Sequence, residues 1–107
     1  MEHITAPELA AWIAAPDRAT PLLLDVREPW EFDTCHLDAA HSMPMNSIPG
    51  RFTELDEEQA VVCIFHHGAR SMQVAAFLER QGFTKVINLS GGIHAWATQV
   101  DTTMPTY

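Results

Sequence analysis

Ala60-Val61-Val62-Cys63-Ile64-Phe65-His66-His67-Gly68-Ala69-Arg70-Ser71 is the stretch that decides the fold. Its first half is short, apolar and β-branched, which suits a buried strand better than a helix. The acidic run Asp56–Glu58 precedes it, and His66-His67-Gly68 follows. Gly68 permits a sharp turn. Ser71 then opens a helix with Val74, Ala75 and Leu78 along one side, ending at Gly82, a natural C′ residue. Strand, short loop and helix in that order form half of a βαβ unit.

The alternation continues outward in both directions. Thr5-Ala6-Pro7-Glu8 is a capping box with Pro in the first turn, and Leu9, Trp12 and Ile13 carry that helix to about Ala15. Leu22–Val26 reads as a strand, Glu28–Phe32 as one helical turn, His41–Pro44 as a short strand and Ile48–Leu55 as a helical piece. Downstream, Lys85–Leu89 gives a further strand, Ser90-Gly91-Gly92 a turn and Ile93–Val100 a last helix. Trp12 and Trp96 fall on apolar faces and Trp30 in the turn after Arg27, where it is expected to be semi-exposed. Residues 1–100 are expected to form one domain, with 101–107 as a loose tail. Such a pattern implies an α/β fold, a parallel sheet covered on both faces.

The chain has 107 residues, 47% of them hydrophobic, enough for one core. Six Lys and Arg against 14 Asp and Glu leave a formal charge of −8. A field of that sign makes nucleic acid and membrane surfaces poor partners. No apolar run approaches the roughly 18–20 residues of a membrane span, and no secretory signal opens the chain. Cys35 and Cys63 are too few for a disulfide framework. A cytoplasmic protein with reduced thiols, acting as a monomer, is expected.

The loop 65–71 draws the chemistry. In open α/β sheets ligands sit at the carboxyl ends of strands, where a helix N-terminus offers N–H groups and a positive dipole end. Arg70 adds a forked cation, so His66, His67, Gly68, Ala69, Arg70 and Ser71 form a candidate cradle for a small anion. The plainer reading is that Gly68 only turns the chain and Arg70 pairs with a carboxylate. Asp25 and Arg27 read either as a pocket pair or as an internal pair shaping a strand end. Six scattered histidines show no ligand spacing, so neither a metal nor a cofactor is expected.

Several segments resemble the rhodanese homology domain in the right order. Leu24–Phe32 is similar to the family's first signature. Cys35-His36-Leu37-Asp38-Ala39-Ala40 is similar to its Gly-His-Ile-x-Gly-Ala, with both glycines replaced. His66–Ala75 resembles its active-site loop and helix, and Gly82-Phe83 with Asn88–Trp96 its closing signature. The resemblance implies a three-layer α/β/α fold, a five-stranded parallel sheet with helices on both faces, and sulfurtransferase chemistry. In active members a cysteine three residues before the loop glycine takes sulfane sulfur from a donor such as thiosulfate and carries it as a persulfide. Here that position is Phe65.

Cys63 is an unpromising substitute. It lies two residues, about 6.6 Å, deeper on the same side of the strand. Cys35 reads as a partly exposed thiol near the first acidic turn. A phosphatase of the same fold would need the missing thiol and a longer loop than the four residues between Phe65 and Arg70. Three readings stand: a silent module that binds a small sulfur oxyanion or a protein partner, a sulfurtransferase working through Cys63 or Cys35, and a purely structural protein.

Overall fold

A computed structural model describes residues 2–66 and 71–106. Strands β1 (Glu2–Ile4), β2 (Leu22–Asp25), β3 (His41–Ser42), β4 (Val61–Ile64) and β5 (Val86–Leu89) form one parallel sheet in the order β1-β5-β4-β2-β3. Every residue of β4 and β5 is buried, as expected of strands covered on both faces. The register sets Cys63 between Leu24 and Asn88.

Among the described residues four helices connect successive strands, α1 (Ala6–Ala14), α2 (Pro29–Thr34), α3 (Ile48–Arg51) and α4 (Ser71–Arg80), and a further one, α5 (Gly92–Gln99), follows β5. One face of the sheet, with Val62, Ile64, Ile87 and Leu89, packs on Leu9 and Trp12 of α1 and Ile93 and Ala95 of α5. The opposite face, with Leu24, Val61, Cys63 and Val86, packs on Ile48 of α3 and Val74, Ala75 and Leu78 of α4. This is the three-layer α/β/α arrangement, with five strands as the resemblance implied.

Local chemistry sets the helix ends. Thr5 Oγ1 accepts from the Glu8 amide at 3.2 Å, and the Glu8 carboxylate accepts from the Thr5 amide at 2.9 Å. Those bonds hold the Glu8 carboxyl below its usual range. Beyond α4, Gly82 takes φ +102 while the Phe83 amide reaches the Leu78 carbonyl at 3.1 Å and the Gly82 amide that of Glu79 at 3.2 Å. Phe83 and Leu78 share one apolar cluster, which completes a Schellman stop.

Several expectations need correction. The residue pattern does not mark β1, because at this sheet edge two exposed polar residues, Glu2 and His3, leave the partly buried Ile4 as a lone apolar signal. The helical piece 48–55 is instead the single turn α3 between two 3₁₀ turns, Met45–Ser47 and Phe52–Glu54. The tail is partly held: the Asp101 amide bonds the Trp96 carbonyl, and Met104 packs on the core. No helix among the described residues is long and apolar enough to cross a membrane.

Candidate functional site

β2 and β4 are neighbours, yet the chain leaves them in opposite directions, from β2 out to β3 and from β4 out to β5. Such a reversal opens a crevice at the carboxyl ends of the two strands, the usual ligand position in an open α/β sheet. The segments that rim it begin at Val26 and Phe65.

At the end of β4, Phe65 is half-buried and packs on the cluster that holds Leu24, Val26, Met43 and Cys63. Val62 and Ile64 belong to the opposite cluster, as strand alternation requires. Cys63 is fully buried, and burial pushes its thiol up to about 12. At pH 7 only about one part in 10⁵ of such a thiol is ionised, and the thiolate is the nucleophilic form.

The backbone beyond β4 is fastened by α5. The Ile93 amide donates to the Phe65 carbonyl at 2.7 Å, and the His94 amide to the His66 carbonyl at 3.1 Å. Gly92 makes this approach feasible. It sits at φ +59, and a Cβ there would collide with the Phe65 carbonyl oxygen and stand 2.6 Å from that of His66. The His66 ring meets that of His94 edge-on, with centroids 6.2 Å apart. In the sequence Ser90-Gly91-Gly92 is a turn inside the closing signature, and the paired glycines before a helix are the available signal for this clamp.

The end of β2 is polar and equally closed. Asp25 and Arg27 form a fork-to-fork pair, Nη2 to Oδ2 at 2.6 Å and Nε to Oδ1 at 2.8 Å, with both side chains fully buried. The Arg27 amide adds a bond to Oδ1 at 3.1 Å. The guanidinium also donates to the Cys35 carbonyl at 2.6 Å and the Glu31 carbonyl at 3.3 Å. The pair therefore ties β2 to the far end of α2. Cys35, expected to be partly exposed, is buried, because its backbone closes this network and its side chain joins an apolar cluster. Its Sγ lies 4.0 Å from Arg27 Nη1 and lines a cavity of about 10 Å³ with His66 and His94.

Of the proposed anion loop, His67, Gly68, Ala69 and Arg70 lie outside the described residues. Ser71 enters only as the first residue of α4. Among the described residues no cluster of His, Cys, Asp and Glu has the arrangement of a metal site.

The comparisons with known proteins agree with this architecture. A family model described as a rhodanese-like domain matches residues 5–99. The chain belongs to the rhodanese-like domain family. It is 42% identical over 81 residues to a sulfurtransferase of Allochromatium vinosum, covering 76% of each chain. It is 34% identical over 77 residues to the thiosulfate sulfurtransferase GlpE of Pseudomonas syringae, covering 72% of this chain and 73% of that one. A crystal structure of a rhodanese-like domain protein from Staphylococcus aureus superimposes with a TM-score of 0.83 at 28% identity, covering 90% and 91% of the two chains. Some relatives are much longer: the chain spans 30% of a chloroplastic rhodanese-like/PpiC domain protein of Arabidopsis thaliana, with 38% identity. In this rhodanese-like domain both cysteines are free and buried.

Proposed function

We propose that this member of the sulfurtransferase family is catalytically silent and serves as a binding module, with a small sulfur oxyanion or a protein partner as its ligand. The observation that carries the reading is Phe65. Its half-buried aromatic ring packs on the core, at the position where the resemblance to the family puts the persulfide-forming thiol. Sulfur transfer needs an atom that attacks a sulfane sulfur and holds it in an S–S bond while the donor's remainder leaves. A phenyl ring has no such atom. The competing reading, transfer through Cys63 or Cys35, is opposed by the burial of both thiols.

Oxyanion binding draws on the N–H groups that open α4 and on Arg70, placed by sequence alone. The expected affinity for sulfate or thiosulfate is millimolar, on the order of 4 kcal/mol, and falls in Arg70→Ala and with added salt. Such a module would act as a cytoplasmic monomer without a cofactor.

The test is a thiosulfate:cyanide assay on the protein beside its Phe65→Cys variant. The expected result is no turnover above the protein-free rate for the former and measurable turnover for the latter. Turnover by the unaltered protein that disappears in Cys63→Ser or Cys35→Ser would overturn the reading.

A further inference from the structure

We propose that a groove between α1 and α5, separate from the loop just discussed, docks a basic amphipathic segment of a partner protein. The groove encloses about 290 Å³. Ile13, Leu37, Trp96 and Met104 give it an apolar lining, and Ile13 is 37% exposed although it sits on the same helix as buried Leu9 and Trp12. That size falls at the lower limit of cofactor pockets, about 300 Å³, and suits the anchoring side chains of a peptide.

Its electrostatics select the sign of the partner. Asp38 and Asp101 both line the groove, and among the described residues no Lys or Arg pairs with either. Ala14, the last residue of α1, and Val100, the C-cap of α5, line it too. Two helix C-termini therefore converge here, each with a partial negative charge, and neither helix has a basic residue in its last turn. Apolar surface flanked by four sources of negative potential matches apolar side chains flanked by Lys or Arg. The same sign works against a second copy of this chain, whose net charge is also −8, and against an anionic lipid surface.

The probe is a synthetic amphipathic helix of leucine and lysine, titrated into the protein and followed by amide chemical shifts, beside a leucine–glutamate counterpart. Shifts are expected at Ala10, Ile13, Leu37 and Val100 with the Leu–Lys peptide and not with the Leu–Glu one. Asp38→Asn with Asp101→Asn should weaken binding about fivefold. Asp101→Asn retains the acceptor that Asp101 Oδ1 offers to the Thr103 amide at 3.1 Å. Ile13→Ser should weaken binding by about fivefold or more, and because Ile13 is exposed the fold should survive it, as a thermal melt would verify. The remote pair Glu57→Gln with Glu79→Gln, beside and on α4 on the opposite face of the sheet, should leave the affinity unchanged, since charges beyond about 8 Å are screened at physiological salt. Equal weakening by the remote pair, or shifts spread over other faces, would reduce the attraction to net charge and overturn the proposal. So would groove shifts that grow with protein concentration alone, which indicate a second copy, or shifts with anionic vesicles and none with the peptide, which indicate a membrane.

Discussion

The two strand ends that rim the crevice are closed by opposite chemistry. At the end of β2 an ion pair with no exposed side-chain surface is saturated by the chain itself: Arg27 holds both Asp25 oxygens and two carbonyls around the end of α2. At the end of β4 the side chain is apolar, and the carbonyls of Phe65 and His66 are taken by the first amides of α5. One end is tied by charge in a dry interior and the other by packing and backbone. Charged residues beside a crevice are therefore not ligand groups by default. The described bonds of Arg27 all go to the fold itself, and the anion role proposed above rests on Arg70 and the opening of α4.

The sharpest way to break the β2 end is to remove one member of its pair. Arg27→Met leaves the Asp25 carboxylate buried without its cation, and such a loss costs about 3–5 kcal/mol. Arg27→Lys should recover only part of it, because an ammonium cannot span both oxygens and the Cys35 carbonyl as a planar fork does. Urea unfolding of the two variants checks this; a loss below about 1 kcal/mol in Arg27→Met would mean the pair is wet. The β4 end should break through its backbone instead. Gly92→Ala places a methyl against the Phe65 carbonyl and forces Ala to φ +59, an expected loss of about 2–3 kcal/mol. Its amide shifts should concentrate at Phe65, His66, Ile93 and His94, and an unperturbed spectrum would remove the clamp.

Cys63 sharpens the contrast through pH. Its thiol rises from 9.0 to about 12 on folding because burial disfavours the charged form. Below pH 9 both folded and unfolded chains keep the proton, so the contribution is fully present. Between about 9 and 12 the unfolded chain releases a proton that the folded chain retains, and stability falls by about 1.4 kcal/mol per pH unit. The difference in unfolding free energy between the protein and Cys63→Ala should therefore shrink by about 1 kcal/mol from pH 9 to pH 10, where the unfolded thiol is still completing its ionisation. A constant difference would place the thiol in contact with water.

How legible all this was depends on where the determinants lie in sequence. β4 and α4 were readable because a β-branched run, a turn glycine and an apolar helical stripe are local signals, and the Gly82 stop fell where a glycine stood. The shared face of Cys63 and Phe65 followed from alternation alone. β1 was not readable, because it owes its existence to pairing with β5 more than eighty residues away, Glu2 opposite Ile87. Within the site, the order of the motifs gave the family. The burial of Cys35 and the saturation of Arg27 depend on a guanidinium reaching eight residues along the chain to a carbonyl, which no spacing rule announces. The clamp of α5 on Phe65 and His66 likewise joins segments that only the sheet order brings together.

The smallest effect tests the two replaced glycines of the segment 35–40, which follows α2 and leads into β3. Ala39 is exposed and sits at φ +65, the left-handed region that an L side chain enters at a cost of about 1–2 kcal/mol. Cys35 sits at φ −163, extended backbone that any residue adopts, and its side chain lies in an apolar cluster. On the β4 side the chain keeps glycine at its positive φ angles, +76 at Gly91 and +59 at Gly92. Restoring glycine should therefore act in opposite directions at the two positions. Cys35→Gly gains no relief of strain, loses packing and frees the unfolded chain, so it should destabilise. Ala39→Gly relieves the strain, and the extra entropy of an unfolded glycine, about 0.5–1 kcal/mol, offsets only part of the gain. The expected net stabilisation is about 0.5–1 kcal/mol, read as a higher urea midpoint at unchanged slope. If Ala39→Gly lowered the midpoint, residue 39 would not be held in the left-handed region, and the contrast between the two connections would lose its backbone half.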